Sequence, residues 1–180
     1  EHMMRPFKIL LCGERGVGKT TLLKKLLLHS PCAVNGFSTK RLPEADPQGF
    51  YPIYIHPAAQ PQEERHYGKD NLVGRCDSRR SIRYPQVFDT LGVALLRPPT
   101  KGILLMDELG FLENEALLFQ RAVLQALQGD VPVMAAVKPK DTEFLCKVRS
   151  QPGTQFYFID RENREDLLEK LLPVVQAWQE

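Results

Sequence analysis

Eight consecutive residues near the N-terminus constrain this chain more than any others. Gly13-Glu14-Arg15-Gly16-Val17-Gly18-Lys19-Thr20 matches GxxxxGK[ST] in full. The glycines let backbone wrap closely around phosphate oxygens. Successive N–H groups and the start of a following helix aim positive charge at the same place. Lys19 is expected to reach the β- and γ-phosphates of a nucleotide and to stand exposed in the loop. The Thr20 hydroxyl is expected to bind Mg²⁺. The flanks suit this reading. Phe7 to Cys12 is an apolar run that predicts a buried parallel strand. Lys19 to His29 predicts a helix, with Leu22, Leu23, Leu26 and Leu27 at spacings of three and four, stopped at Ser30-Pro31.

The C-terminal part alternates regularly. Ile103–Met106, Val131–Val137 and Gln155–Ile159 read as strands. Helices are expected from Asn114, as its cap, to about Gln128, after an Asp141 cap, and from Glu162 to Trp178 with a kink at Pro173. This alternation predicts an α/β fold of three layers around a mostly parallel sheet. Residues 36–85 differ. Pro43, Pro47, Pro52, Pro57, Pro61 and Pro85 punctuate them, which predicts inserted hairpins and loops facing a substrate or partner. Gly49 to Ile55 reads as a strand that Pro52 demotes to a sheet edge. Gln86 to Leu96 reads as a helix closed by Pro98-Pro99. A length of 180 residues suits one domain spanning 1–180. Residues 1–3 read as a cloning remnant ahead of a start at Met3 or Met4, so His2 carries no functional weight.

Composition excludes several classes. A net charge of +2 is too weak to argue for nucleic acid or an anionic membrane. No apolar run has the length of a membrane span. Cys12, Cys32, Cys76 and Cys146 form no CxxC pair, so neither zinc nor a disulfide framework is indicated. Reduced thiols point to the cytoplasm. Arg75, Arg79, Arg80 and Arg83 fall close together. They read either as a solvated loop or as a cationic lid over phosphates.

Ile103-Leu104-Leu105-Met106-Asp107-Glu108 carries the second motif. Four apolar residues bring two carboxylates to the C-terminal end of a buried strand, the edge where ligands bind in open α/β sheets. Asp107 is placed there to hold Mg²⁺. Glu108 can take the proton of an attacking water, and Glu113 is the next candidate for that work. By analogy, adjacent Asp and Glu also suggest the additional-strand, glutamate-using branch of phosphate-loop proteins, with strand order left open.

In order along the chain, these and further segments resemble the small P-loop nucleoside-triphosphatases of the cancer-related type. Gly36-Phe37-Ser38-Thr39 is similar to that family's Gly-Phe-x-Thr. Tyr84 ahead of Phe88-Asp89 is similar to its Tyr and Phe-Glu. Asp107-Glu108-Leu109-Gly110-Phe111-Leu112-Glu113 is similar to its Asp-Glu-Ile-Gly-Lys-Met-Glu, and Glu162-Asn163-Arg164 contains its Asn-Arg. Phe111 departs from the family's lysine, Asp89 from its glutamate, and residues 40–83 match poorly. The resemblance implies a P-loop NTPase fold with Gly13, Glu14, Arg15, Gly16, Val17, Gly18, Lys19, Thr20 and Thr21 around the triphosphate. It also implies Asp107 and Glu108 on Mg²⁺ and water, and Asn163 and Arg164 on the base or phosphates.

The guanine-reading Asn-Lys-x-Asp is missing. Lys138-Pro139-Lys140-Asp141 lacks its Asn and its second Lys, so low base specificity is expected. Tyr51, Tyr54, Tyr67 and His66 read either as base-stacking or as locally packed. Three functions follow in order of expectation: Mg²⁺-dependent hydrolysis of ATP and other NTPs, transfer of the γ-phosphoryl to a second substrate by a small kinase, and nucleotide-controlled binding without turnover. Only Arg15 and Arg164 stand as arginine-finger candidates in cis. Hydrolysis is therefore expected to be slow without an activating protein.

Overall fold

The computed structural model describes residues 7–178. The expected N-terminal remnant, with His2, Met3 and Met4, lies outside them. Eight strands form one sheet: β1 (Lys8–Cys12), β2 (Val34–Arg41), β3 (Tyr51–Pro57), β4 (Leu72–Cys76), β5 (Ser81–Arg83), β6 (Ile103–Leu109), β7 (Val133–Val137) and β8 (Thr154–Phe158). Their order is β5-β4-β3-β2-β6-β7-β1-β8. From β2 to β8 every pairing is parallel; from β2 to β5 every pairing is antiparallel. β7 separates the strand of the phosphate loop from the strand of Asp107. The extra strand suggested by the Asp-Glu pair is therefore present.

Period-two alternation splits the parallel strands between two cores. Ile9 and Leu11 of β1 face Leu22, Leu23 and Leu26 of α1 (Lys19–Leu28) and Leu171 and Val175 of α6 (Arg164–Gln176). Trp178 closes this layer. Leu10, Leu104 and Met106 face the other way, against α2 (Pro85–Val87), α3 (Val93–Leu95), α4 (Leu117–Gln128) and α5 (Glu143–Arg149). A π-helical turn, Phe88–Gly92, joins α2 to α3. Each fully buried leucine contributes about 1.5–3 kcal/mol. Three leucines on α1 are therefore enough to clamp the helix, and with it the phosphate loop, onto the sheet.

Three local expectations give way to tertiary contacts. Pro52 does not sit on an edge, because β4 and β5 add beyond β3. The Pro52 carbonyl accepts from Leu42 N at 3.0 Å, so the side lacking an N–H faces the end of β2, and the ladder shifts at Ile53/Tyr54. Asn114 does not cap α4. Asp89, from the π-turn, accepts Phe119 N at 3.0 Å and does so across the fold. Asp141 does not cap α5 either; Thr142 Oγ1 accepts Leu145 N at 3.1 Å, and Asp141 pairs with Arg149 at 2.8 Å. The last helix is shorter than expected by about two residues at each end.

Candidate functional site

The phosphate loop leaves β1 at Gly13. A Cβ there would sit 2.6 Å from the Ile159 carbonyl, so only glycine lets the chain pass. Gly16 and Gly18 take φ of 84° and 102°, the left-handed region that glycine occupies freely. Gly18 then stands at the N-cap of α1 with no side-chain cap, and the first turn holds no acidic residue. The first N–H groups of a ten-residue helix are thus left for an outside acceptor. Thr20 and Thr21 are exposed on this turn.

Lys19 is not exposed. Its side chain is 6% accessible. The ammonium donates to the Gly13 carbonyl, to Glu14 O at 3.2 Å, and pairs with Glu108 Oε2 at 3.2 Å. The loop thus turns two of its own carbonyls toward the cation.

Asp107 and Glu108 end β6, and the ladder to β7 skips Glu108 between Asp107↔Ala136 and Leu109↔Val137. Asp107 is buried, and burial first, then the Glu108 charge, push its carboxyl up to about 6. Thr20 Oγ1 donates to Asp107 Oδ1 at 3.2 Å. A hydroxyl and a carboxylate oxygen this close form a hard-oxygen pair suited to Mg²⁺, and a cation between them would relieve the desolvated charge. No group of three or more His, Cys, Asp or Glu that could hold a metal occurs among the described residues. The Thr20–Asp107 pair alone supplies two oxygens, so water and phosphate would have to provide the remaining ligands of a Mg²⁺ ion there.

Thr39 and Lys138 take up positions in the site that no local spacing signals. The Thr39 hydroxyl donates to Asp107 O and accepts from Glu108 N, both at 3.3 Å, and so clasps the backbone between the two carboxylates. Gly36 brings β2 this close: it has φ of 96°, and a Cβ would run into the Leu105 carbonyl. Lys138, just past β7, lies 4.0 Å from Glu108 Oε1, on the oxygen that Lys19 leaves free. Only the position of Lys138 after a strand end signalled it. Glu113 is buried at the cleft wall, where its Oε1 accepts Gly110 N at 2.7 Å and burial pushes it up to about 7.

Arg164 reaches the loop, donating to Val17 O at 3.4 Å. The Asn163 amide is occupied in the β8–α6 turn, donating to Phe158 O at 2.7 Å and accepting Asp160 N at 2.8 Å. Arg15 is exposed at the mouth. Arg75, Arg80 and Arg83 pair with Asp46, Asp77 and Glu115 and do not line the cleft. Tyr54 and His56 pack edge-on against Tyr67, the local packing alternative. In front of the loop opens a cleft of about 720 Å³, and beside Gly18, Lys25 and Arg164 a recess of about 190 Å³.

A sheet parallel from β2 to β8, with a phosphate loop after β1 and an Asp-Glu pair near the C-terminal end of β6, defines the P-loop NTPase class of α/β proteins. A family model described as NTPase matches residues 8–172, and the chain belongs to that family. It is similar to the nucleoside-triphosphatase THEP1 of Thermotoga maritima, 27% identical across 94% of this chain and 95% of that protein. The protein of the same name from Metallosphaera sedula is 30% identical over 73% of this chain and 71% of its own. The crystal structure of THEP1 from Aquifex aeolicus shares the fold, with a TM-score of 0.69 at 24% identity, covering 94% of this chain and 99% of the other. No helix among the described residues is long and apolar enough to cross a membrane.

Proposed function

We propose that this chain hydrolyses the terminal phosphoanhydride of nucleoside triphosphates, ATP among them, with Mg²⁺ and little preference for the base. The observation that carries this reading is the placement of Glu108: at the rim of the sheet, one residue past buried Asp107, clasped by Thr39 and facing Lys19.

In the reaction, Lys19 turns from the Gly13 carbonyl and Glu108 to the β- and γ-phosphate oxygens. The loop amides and the start of α1 hold the same oxygens. Glu108, released from Lys19, orients a water and accepts its proton as the water oxygen bonds to the γ-phosphorus and the bond to the β,γ-bridging oxygen breaks. Thr20 and Asp107 would hold Mg²⁺, which would neutralise charge on the phosphate oxygens. Arg164 or Arg15 meets the charge that develops on the leaving phosphate, and an activating protein speeds the step where neither suffices. Arg164 borders the recess beside Gly18, which we assign to sugar and base, and Asn163, one residue earlier, holds the turn that presents Arg164 there. That recess holds Lys25 and Leu168 but no set of side chains matched to one base edge. Asp141, spent on Arg149, cannot read guanine. Four unpaired cysteines are in keeping with a reducing compartment such as the cytoplasm.

Phosphate release from ATP, GTP, CTP and UTP, with and without Mg²⁺, tests the proposal. Rates within roughly tenfold in kcat/KM, about 1.4 kcal/mol of discrimination, are expected for the four bases. Binding of an ATP analogue without any release would sink the hydrolase, and a hundredfold preference for one base would sink the low specificity.

A further inference from the structure

Glu108 divides the cleft. On the loop side stands Lys19, at 3.2 Å; on the other stands Lys138, at 4.0 Å. The loop side has the open helix start, the glycines and the Thr20–Asp107 pair, which is what a triphosphate and its cation need. Beyond Glu108 the same cleft continues to the inserted strands, where Arg41, Ile53 and Cys76 join Phe111 and Lys140 in its wall. A triphosphate seated on the loop leaves this front portion unused.

The front carries three cations, Arg41, Lys138 and Lys140, against Asp77 and the Glu108 at its border. Among the described residues, neither Arg41 nor Lys140 has a carboxylate within ion-pair distance, and Lys138 has only the Glu108 it shares with Lys19. Nearby arginines differ: Arg75, Arg80 and Arg83 each have a carboxylate at 2.6–3.2 Å. The unpaired cations are also held in place. Arg41 lies 4.4 Å above the Tyr51 ring, and the Lys138 and Lys140 ammoniums lie 4.9 and 5.1 Å from the centre of the Phe111 ring. Arg41, Lys138 and Lys140 line the same cleft. Burial pushes the Cys76 thiol in its wall up, and Asp77 adds to that, while Lys138, Arg41 and Arg83 pull the other way. Arg41 and Lys138 are half-buried and Lys140 is exposed at the mouth; cations held on aromatic faces keep their charge aimed into the cleft, and those partly withdrawn from water attract an anion more strongly than free surface lysines do.

We propose that the front of the cleft is a second anion subsite, which takes the phosphate group of a ligand other than the triphosphate chain, held by Arg41 and Lys140 with Lys138. The group is a tetrahedral phosphate, either free orthophosphate or the phosphomonoester of a second small molecule. The proposal rests on the phosphate loop being the nucleotide site.

The test uses the full chain and two titrations. The first adds a non-hydrolysable ATP analogue with Mg²⁺; its failure to bind would count against the nucleotide reading, independently of the subsite. The second adds orthophosphate, and separately ribose 5-phosphate, to protein already saturated with the analogue, followed by calorimetry. One further equivalent is expected to bind. Arg41→Gln and Lys140→Gln, each checked by thermal melting, are expected to weaken that second event by about tenfold or more while leaving analogue affinity unchanged. Tighter orthophosphate identifies a product-type ligand, and tighter ribose 5-phosphate identifies a phosphorylated second ligand; either supports the subsite. If neither probe binds the saturated protein, or if both substitutions leave the second event unaltered, the subsite is overturned.

Discussion

The Lys19 ammonium and the Glu108 carboxylate lie 3.2 Å apart and tie the phosphate loop to the end of β6. Both groups are needed elsewhere once a triphosphate binds, so occupation of the loop and release of the base are linked through one contact.

Lys19→Ala is expected to abolish triphosphate binding and turnover, as removal of the cation at the centre of the loop demands. Because Lys19 is buried and donates to two loop carbonyls, the variant also loses stability, by about 1–2 kcal/mol. That corresponds to roughly 2–4 °C in Tm per kcal/mol for a chain of this size, with the cooperative melt retained. Calorimetric titration and a thermal scan measure the two effects; ATP hydrolysis at the wild-type rate would show the loop assignment to be wrong.

Glu108→Gln separates binding from chemistry. An amide of the same shape orients water but hardly accepts its proton, so kcat is expected to fall by about 10²–10⁴-fold. The nucleotide Kd stays level or improves, since one negative charge near the triphosphate is gone. Near-wild-type turnover would place the base elsewhere, with Glu113 next in line. Asp107→Asn is expected to differ by shifting the Mg²⁺ concentration needed for half-maximal rate.

Glu113→Gln is expected to stabilise the protein, and only at higher pH. Folding raises the Glu113 carboxyl from 4.5 to about 7 through burial. A raised folded value means its contribution is intact below about pH 4.5 and is lost as pH rises through 7. The span corresponds to roughly 3 kcal/mol at most. Glutamine keeps the acceptor for Gly110 N without the proton. Urea melts of both proteins at pH 4.5 and pH 8 should agree at the lower pH and separate at the higher; equal stability at pH 8 counts against a buried, protonated Glu113.

Asp89→Ala removes the acceptor at the start of α4 and is expected to cost about 1 kcal/mol, with kcat and KM unchanged. A selective loss of kcat would instead give Asp89 a part in the chemistry.

What was readable from the residues in order was whatever obeys a local rule. The GxxxxGKT loop demands glycine dihedrals, Ile9–Cys12 of β1 and Ile103–Met106 of β6 are apolar runs because both faces are covered, and the leucines of α1 repeat with the helix. The α/β class, the loop and the Asp107–Glu108 rim follow from these periodicities alone. Tertiary structure decided the rest, because the forces involved join residues far apart in the chain. Asp89 outcompetes Asn114 for the start of α4 because the π-turn brings its carboxylate to Phe119 N. Pro52 becomes interior because β4 and β5 find their hydrogen-bond partners beyond it. Lys19 is buried because loop carbonyls and Glu108, 89 positions away, satisfy its ammonium. Thr39 and Lys138 become part of the site only when β2 and β7 flank β6, a neighbourhood that no local spacing encodes.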